Sequence, residues 1–190
     1  PWLVRRQLAN EPTGDAQRPL APKKQTPLDK RLFVYPVATT VGAEDLADVW
    51  ARRLESFFGA APSQAQMGIL MGQSIVASGS PDGLTVVNNN PLRLRANRFY
   101  RDYWTTVRVP EWGSQRPVHR WLPIRSYLSL DAAAFDWLTQ MPEAARGALQ
   151  AADPDAYAKA LVAARAVDLP ARAYVPELVA AASSWLDSNA

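Results

Sequence analysis

Two stretches of helical periodicity enclose a stretch without it, and this order restricts the chain to mixed α+β folds. In residues 43–78 and again in residues 131–186, apolar side chains recur at spacings of three and four, which is typical of helices with one buried face. Residues 80–127 instead alternate, carry β-forming side chains and contain turn residues, which favours short strands and loops. We therefore predict an α+β fold that is mainly α, with a small irregular β lobe between two groups of helices.

Capping residues predict where the helices begin and end. The apolar residues up to Phe58 fall on one helical face, and Gly59 is a typical C-terminal residue, so the first helix is predicted over about residues 43–58. Ser63 is a typical N-cap for the second helix, which should end near residue 78. Four shorter helices are predicted over residues 131–140, 143–150, 154–166 and 174–186.

Residues 1–41 are predicted to form an extended arm, and residues 42–190 a single domain. Residues 1–30 are rich in Pro, Gln, Lys and Arg and follow no regular period. The apolar segment 32–37 is β-prone, but Pro36 favours an edge or irregular position for it. The arm carries seven basic and three acidic residues, and so accounts for the basic character of a chain whose net charge is +3. We expect the arm to bind a protein partner.

The composition excludes several classes of chemistry. There are no cysteines, which removes disulfides, thiolate metal sites and a Cys nucleophile. The single histidine, His119, argues against a Ser-His-Asp triad and against a site with several His ligands. The glycines form no phosphate-binding loop, so we predict neither a metal nor a cofactor. No apolar run approaches the roughly 18 residues that span a bilayer, and we predict no membrane span.

A second concentration of positive charge lies in residues 93–125, where eight arginines accompany two acidic residues and aromatic residues are interspersed. Such a composition is found in proteins that bind single-stranded nucleic acid. The sequence contains no nucleic-acid-binding motif beside it. We therefore do not expect nucleic acid to be the partner.

Four short sequence blocks between residues 73 and 174 are informative when taken together. The first, from Gln73, reads Q-S-I-V-A-S-G-S-P, and the second, from Asn89, reads N-N-P-L-R-L-R-A. The third joins V-P-E-W, from Val109, to P-I-R-S-Y-L-S, from Pro123, and the last is a looser match over residues 157–174. In order and spacing these blocks resemble the peptidoglycan glucosaminidases, a lysozyme-like family that includes bacterial autolysins and the muramidase domain of a flagellar assembly protein.

The resemblance implies a lysozyme-like fold whose groove, between a helical lobe and a β lobe, binds an alternating amino-sugar glycan. It also aligns Ala77 with the catalytic glutamate of the family, and Ser80 with a tryptophan. Glycoside cleavage needs a carboxylic acid that protonates the leaving oxygen, and apolar surroundings keep such an acid protonated near neutrality. Ala77 has no proton to transfer, so we predict that no catalytic acid is intact at this position.

Other residues of the predicted groove are candidates for chemistry or for binding. Glu111 matches a β-lobe glutamate of the family and is the candidate second carboxylate, the alternative being a solvated loop residue. Asp82 lies near the missing acid in sequence, although S-P-D-G is an ordinary turn. The residues predicted to bind substrate are amides and aromatic side chains: Asn89, Asn90, Trp112, Tyr127 and Tyr174. Further candidates of the same two kinds are Asn88, Tyr103, Trp104 and Trp121. The alternative roles of all these residues are turn formation and core packing, and Arg125 is interpreted as a structural hydrogen-bond donor.

Three functions are compatible with these residues. The first is a cell-wall-directed glucosaminidase-like module without catalytic activity, acting as a peptidoglycan-binding or structural part of a phage tail, secretion or flagellar assembly. The second is an active peptidoglycan hydrolase that uses another carboxylate, or one inactivated by engineering at Ala77. The third is a purely structural assembly protein without affinity for glycan. We expect the periplasm, the cell surface or a virion as its location, before the cytoplasm.

Overall fold

The computed structural model describes residues 28–78, 84–97, 100–110, 119–167 and 169–189. The helices are α1 (Ala43–Phe58), α2 (Gln64–Ser78), α3 (Leu130–Gln140), α4 (Glu143–Gln150), α5 (Pro154–Ala163) and α6 (Ala171–Ser188). The strands are β1 (Ala38–Val41), β2 (Leu84–Val87), β3 (Trp104–Pro110) and β4 (His119–Arg125). The mainly helical α+β fold predicted from the sequence is therefore confirmed.

Capping residues set the ends of α1 and α2 where the sequence predicts them. Gly59 ends α1 in the left-handed conformation, with φ of 76°, and its N–H donates to the carbonyl of Glu55. Ser63 and Gln66 open α2 as a reciprocal pair. The N–H of Gln66 donates to Ser63 Oγ at 3.2 Å, and the N–H of Ser63 donates to Gln66 Oε1 at 2.8 Å. The predicted bounds of both helices are confirmed.

Two later helices differ from their predicted bounds. α5 ends three residues early because Arg165 adopts a left-handed φ of 55°, and the N–H of Ala166 turns back to the carbonyl of Leu161. α6 begins three residues early, directly after Pro170, whose carbonyl accepts from the N–H of Tyr174 and so starts the helix. At α5 the apolar pattern therefore continues past the residue at which the backbone ends the helix, whereas at α6 the helix begins before the predicted pattern does.

The β-prone segment 32–37, expected as a short strand or as an extended piece packed on the domain, is irregular, and the first regular strand forms after it, as β1. A 3₁₀ turn occupies Lys30–Leu32, and Pro36 has no N–H to donate, so regular pairing starts only after it. The segment is nevertheless attached to the domain, because the N–H of Val34 donates to the carbonyl of Trp104 at 2.9 Å. Part of the predicted arm therefore contacts the domain, and the boundary of the arm stays a prediction.

The described strands form two separate antiparallel pairs. β1 pairs with β2 so that Val41 lies opposite Leu84, and β3 pairs with β4 so that Trp104 lies opposite Arg125. Between the two pairs, the residues that follow β2 connect by hydrogen bonds to both. These short strands and their loops are the small β lobe predicted for the middle of the chain.

Helix α2 runs through the centre of the helical lobe, and every residue from Met67 to Ser74 is buried. It lies so close to α6 that a Cβ on Gly72 would be 2.7 Å from the backbone nitrogen of Ala182. On another side, Trp50 of α1 is fully buried and donates from its indole nitrogen to Ser74 Oγ at 3.4 Å. The absence of a side chain at position 72 therefore sets the distance between α2 and α6.

We predict that Gly72→Ala destabilises the domain by about 1–3 kcal/mol, because the added methyl group forces α2 and α6 apart. Gly147→Ala in α4 is the matched control. Its Cβ would meet no atom within 4 Å, so the better helix propensity of alanine should stabilise the domain by about 0.5–1 kcal/mol. Urea unfolding followed by circular dichroism measures both changes. Shifts of the same sign would contradict the packing assigned to Gly72.

Candidate functional site

The end of α2 holds the residue that the sequence resemblance aligns with a catalytic acid. Ala77 lies in the last turn of α2 and is partly buried. It follows Ser74 by three residues and Gln73 by four, so the three side chains share one face of the helix. Gln73 and Ser74 are buried. Ala77 therefore lies on the same face of α2 as the buried residues Gln73 and Ser74, at the end of the helix where this face becomes partly exposed.

A line of buried polar groups lies one turn below Ala77. The hydroxyl of Tyr157, on α5, donates to Gln73 Oε1 at 2.6 Å and accepts from the indole nitrogen of Trp137, on α3, at 3.2 Å. Burial raises the pKa of Tyr157 well above its usual value, and the neighbouring Tyr174 adds to the effect. The tyrosine stays neutral and acts as a hydrogen-bonding link. Three helices are thus joined beneath the end of α2.

An open cleft of about 460 Å³ lies between the segment that leads into β1, the turn after β2 and the loop after β4. Its lining is made of uncharged residues: Val34, Tyr35, Val37, Thr39, Asn88, Asn89, Tyr103, Ser126, Tyr127 and Leu128. Among the described residues, the lining thus contains three tyrosines and two asparagines but no carboxylate. Aromatic faces and side-chain amides are the groups that sugar rings and acetamido groups contact.

The turn that forms one wall of the cleft is built by Asn88. Its backbone adopts a left-handed φ of 49°, which asparagine tolerates. Its side-chain amide makes three hydrogen bonds: Oδ1 accepts from the N–H of Val37 at 2.6 Å, and Nδ2 donates to the carbonyl of Tyr35 and to Ser126 Oγ, both at 3.1 Å. Asn88 therefore ties the segment before β1 to the loop after β4.

The next two asparagines have different positions. Asn89 lines the cleft, and its Nδ2 donates to the carbonyl of Tyr127 at 3.0 Å. Asn90 is 1% exposed. Its amide donates to the carbonyls of Leu94 and Arg125 and accepts from the N–H of Leu94. Because Asn90 is buried and its described side-chain hydrogen bonds go to the backbone, the structure corrects the prediction that it binds substrate. A binding role for Asn89 and Tyr127 stays a prediction.

Tyr127 is held in place by a partly buried ion pair. Its hydroxyl donates to Asp136 Oδ2, and the same oxygen accepts from Arg125 Nη1 at 2.5 Å. Arg125 also donates from Nε to the carbonyl of Arg95 at 2.9 Å, and its guanidinium lies 4.9 Å from the ring centre of Tyr100. The interpretation of Arg125 as a structural donor is confirmed. Burial, and then the bond to Asp136, raise the pKa of Tyr127 far above its ordinary value.

Tyr174 does not reach the cleft. It lies on α6 and is 3% exposed, and the described part of the chain offers its hydroxyl no hydrogen-bond partner. Burial, and then the charge of Glu177, raise its pKa. This burial corrects the prediction that Tyr174 contacts substrate. Glu177 itself is partly buried, which raises the pKa of its carboxyl group, but it does not line the cleft either.

The remaining predicted site residues divide into three groups. Glu111 and Trp112, together with Ser80 and Asp82, lie outside the described residues. Tyr103 lines the cleft. Trp104 packs against the ring of Phe33 with 5.1 Å between ring centres, and it donates to the carbonyl of Asp29; it is therefore a packing residue. Trp121 is exposed on β4 and outside the cleft lining.

Three exposed apolar residues of the cleft were among those that sequence reasoning did not single out. Tyr35, Val37 and Leu128 are exposed by 83%, 61% and 92%. An apolar residue that is exposed has the same local pattern as one in the core, so periodicity alone does not identify it. The usable signal was the lack of charge in residues 33–43.

Three solved structures share this fold. A peptidoglycan hydrolase mutant from Sphingomonas sp. A1 matches with a TM-score of 0.55 and 17% identity over 76% of this chain and 96% of that chain. The unmutated hydrolase matches with a TM-score of 0.50 and 17% identity, over 76% and 86%. The catalytic domain of the autolysin Auto from Listeria monocytogenes matches with a TM-score of 0.50 and 13% identity, over 77% and 84%. The domain has a lysozyme-like fold, as predicted.

Sequence comparison adds nothing to this likeness: no family model matches the chain, and no curated protein is significantly similar to it. None of the helices in the described ranges is long and apolar enough to cross a bilayer. Among the same residues, no group of three or more His, Asp or Glu side chains is placed to hold a metal ion.

We predict that Asp136→Ala destabilises the domain by about 2–3 kcal/mol, because it leaves the half-buried guanidinium of Arg125 without its acceptor. Asp155→Ala is the control. It removes an exposed pair with Lys159 one helical turn away, which is worth about 0.5 kcal/mol or less. Chemical unfolding at neutral pH measures both. Equal losses would contradict the role given to Asp136 in holding Tyr127.

Proposed function

We propose that this chain is a cell-wall-directed, glucosaminidase-like module that engages peptidoglycan without cleaving it. The observation that carries the proposal is Ala77, in the last turn of α2, within a fold shared with peptidoglycan hydrolases. Sequence resemblance aligns this position with the catalytic glutamate. An alanine there leaves the helix intact, because alanine is the strongest helix former, but it removes the group that would protonate the glycosidic oxygen.

The missing acid is enough to suppress the reaction. Loss of proton transfer by a positioned acid lowers a rate by about 10²–10⁴. The described residues that line the cleft, of which Ala77 is not one, supply no carboxylate in its place. Ser80, aligned with the family's tryptophan, removes a second element, since a serine does not provide the apolar wall that raises the pKa of a catalytic acid.

The cleft retains groups suited to glycan binding. Tyr103 and Tyr127 are aromatic side chains at its surface, and Asn89 contributes an amide. A pyranose ring stacks on an aromatic face, and an amide pairs with hydroxyl and acetamido groups. The lining residues that the structure describes are uncharged, which matches the neutral amino-sugar backbone of peptidoglycan.

The module would serve as a binding or structural part of a larger assembly that meets the cell wall, of the phage tail, secretion or flagellar type. The basic arm supports this role, since residues 1–41 carry seven basic side chains against three acidic ones and would bind a neighbouring protein of that assembly. Such an assembly places the module in the periplasm, at the cell surface or in a virion.

A second candidate function is an active hydrolase that uses another carboxylate. Glu177 favours it, because burial raises the pKa of its carboxyl group, as a general acid requires. Its position on α6, away from the cleft lining, argues against it. Glu111 is the other carboxylate for this candidate.

We predict that the chain clears no zone in a peptidoglycan zymogram, whereas Ala77→Glu raises lysis by about 10²-fold or more, because it supplies the missing proton donor. The wild-type chain and the variant are compared at equal amounts. Lysis by the wild-type chain would sink the proposal of an inactive module. In that case Glu177→Gln and Glu111→Gln, tested in turn, identify the carboxylate responsible.

We predict that the chain co-sediments with purified sacculi and that Tyr103→Ala lowers its affinity about 2- to 10-fold, because one stacking surface is lost. Phe135→Ala is the matched control: it removes an exposed aromatic ring on α3 that contacts Arg53 and lies outside the cleft. No co-sedimentation of the wild-type chain would favour a structural assembly protein without glycan affinity.

A further inference from the structure

Strand β1 presents one edge to solvent. In the described part of the chain its sheet contains two strands, and β2 occupies one side of β1. The N–H of Asn88 donates to the carbonyl of Val37, so Val37 and, two residues on, Thr39 direct their backbone groups at β2. The N–H and C=O groups of Ala38 and Thr40 therefore point to the opposite side, where no described strand lies.

Apart from its length of four residues, this edge lacks the features that normally protect an edge strand. Natural edge strands carry charged side chains, prolines or bulges that prevent pairing with another chain. Residues 33–43 contain no charged side chain, and residues 35–40 are exposed throughout. Pro36 lies before β1, so it blocks neither outward N–H group of the strand itself.

Exposed apolar side chains lie beside the same edge. Four of the six large apolar residues that are exposed in the described chain are Tyr35, Val37, Tyr103 and Leu128, and all four line the cleft. Side chains alternate along a strand, and Val37 and Thr39 are on the cleft side of β1. If another strand paired with β1, every second side chain of that added strand would lie on the cleft side, beside these exposed apolar residues.

Charges of opposite sign flank the uncharged strand. Lys30 and Arg31 precede it, and Glu44 and Asp45 follow it in the first turn of α1. When two identical strands pair in antiparallel orientation, the start of each lies beside the end of the other. The flank of one copy that carries Lys30 and Arg31, the latter paired with Asp29 of its own chain, then lies at the same end of the interface as the acidic flank of the other copy. This long-range attraction favours antiparallel pairing, whereas parallel pairing would bring flanks of like charge to the same end.

We propose that β1 is a self-association edge, to which a second copy of this chain adds its own β1 in antiparallel orientation. The register centres on Thr39. Ala38 of each copy then exchanges both backbone hydrogen bonds with Thr40 of the other, which gives about four bonds across the interface. A register centred on Ala38 would set Pro36 opposite Thr40 and leave the Thr40 carbonyl without a donor. The contact is symmetric and closes as a dimer.

Sedimentation velocity of the full chain over a range of concentrations tests this proposal. The register sets the two Thr39 side chains directly opposite each other, so Thr39→Lys or Thr39→Asp places two like charges at the contact. Each variant alone should weaken the dimer about fivefold, because like charges directly opposite are destabilising. An equimolar mixture of the two variants should associate at least as tightly as the wild-type chain, and this gain should shrink in high salt.

Thr85→Lys is the matched control. Thr85 is exposed on β2, so the variant adds the same charge to the same sheet away from the proposed edge, and it should leave the dimer unchanged. Circular dichroism checks that each variant is folded. Hydrogen exchange gives an independent reading: the amides of Ala38 and Thr40 should exchange about tenfold more slowly at high concentration, while that of Thr39, which faces β2, should not change.

Several results overturn the proposal. A chain that stays monomeric at every concentration excludes self-association through β1. A dimer that neither Thr39 variant weakens uses another surface, and two variants that fail to associate when mixed exclude the register. Protection of Ala38 and Thr40 that appears only when a different protein is added would assign the edge to a foreign strand.

Discussion

The close contact between α2 and α6 determines the geometry of the helical lobe. Gly68 and Gly72 leave the backbone of α6 in contact with α2, so α2 is buried along its middle two turns. A buried helix needs a partner for every polar side chain it carries. Gln73 is bonded to Tyr157 of α5, which links to α3, and Ser74 is bonded to the indole of α1. The same two residues that satisfy this requirement join four helices, and they define the face on which Ala77 ends the helix.

The β lobe depends on a different interaction, because two pairs of short strands contribute few ladder bonds. Side-chain amides provide the connections. Asn88 joins the segment before β1 to the loop after β4, and Asn90 joins its own loop to the end of β4. The segments that Asn88 joins in this way form walls of the cleft. The asparagines that the sequence suggests as sugar ligands thus make structural bonds. Asn89 lines the cleft, and its side chain donates to the carbonyl of Tyr127.

Local signals explain which parts were predictable. Gly59 and Ser63 set helix ends through their own backbone and side-chain bonds, so α1 and α2 follow from sequence alone. The end of α5 depends on the left-handed backbone conformation of Arg165. This conformation is uncommon for arginine, so the residue type does not predict it. The site was harder, because burial is a tertiary property. Asn90 and Tyr174 have side chains suited to ligand binding, yet both are buried. The exposed residues Tyr35, Val37 and Leu128 of the cleft are apolar, so in the sequence they resemble residues of the core.

The proposed loss of catalysis is compatible with an unchanged fold for an energetic reason. A carboxylic acid at the end of a buried helix is kept protonated by apolar surroundings, and its ionised form is destabilised there. Alanine at position 77 removes that penalty and suits the helix, so a change that ends proton transfer does not weaken α2. The groups that shape the cleft, the amide of Asn88 and the Arg125–Asp136 pair, are separate from the position of the acid. A lysozyme-like domain can therefore lose a catalytic acid without losing the cleft that we propose binds glycan, which is what the proposed structural role requires.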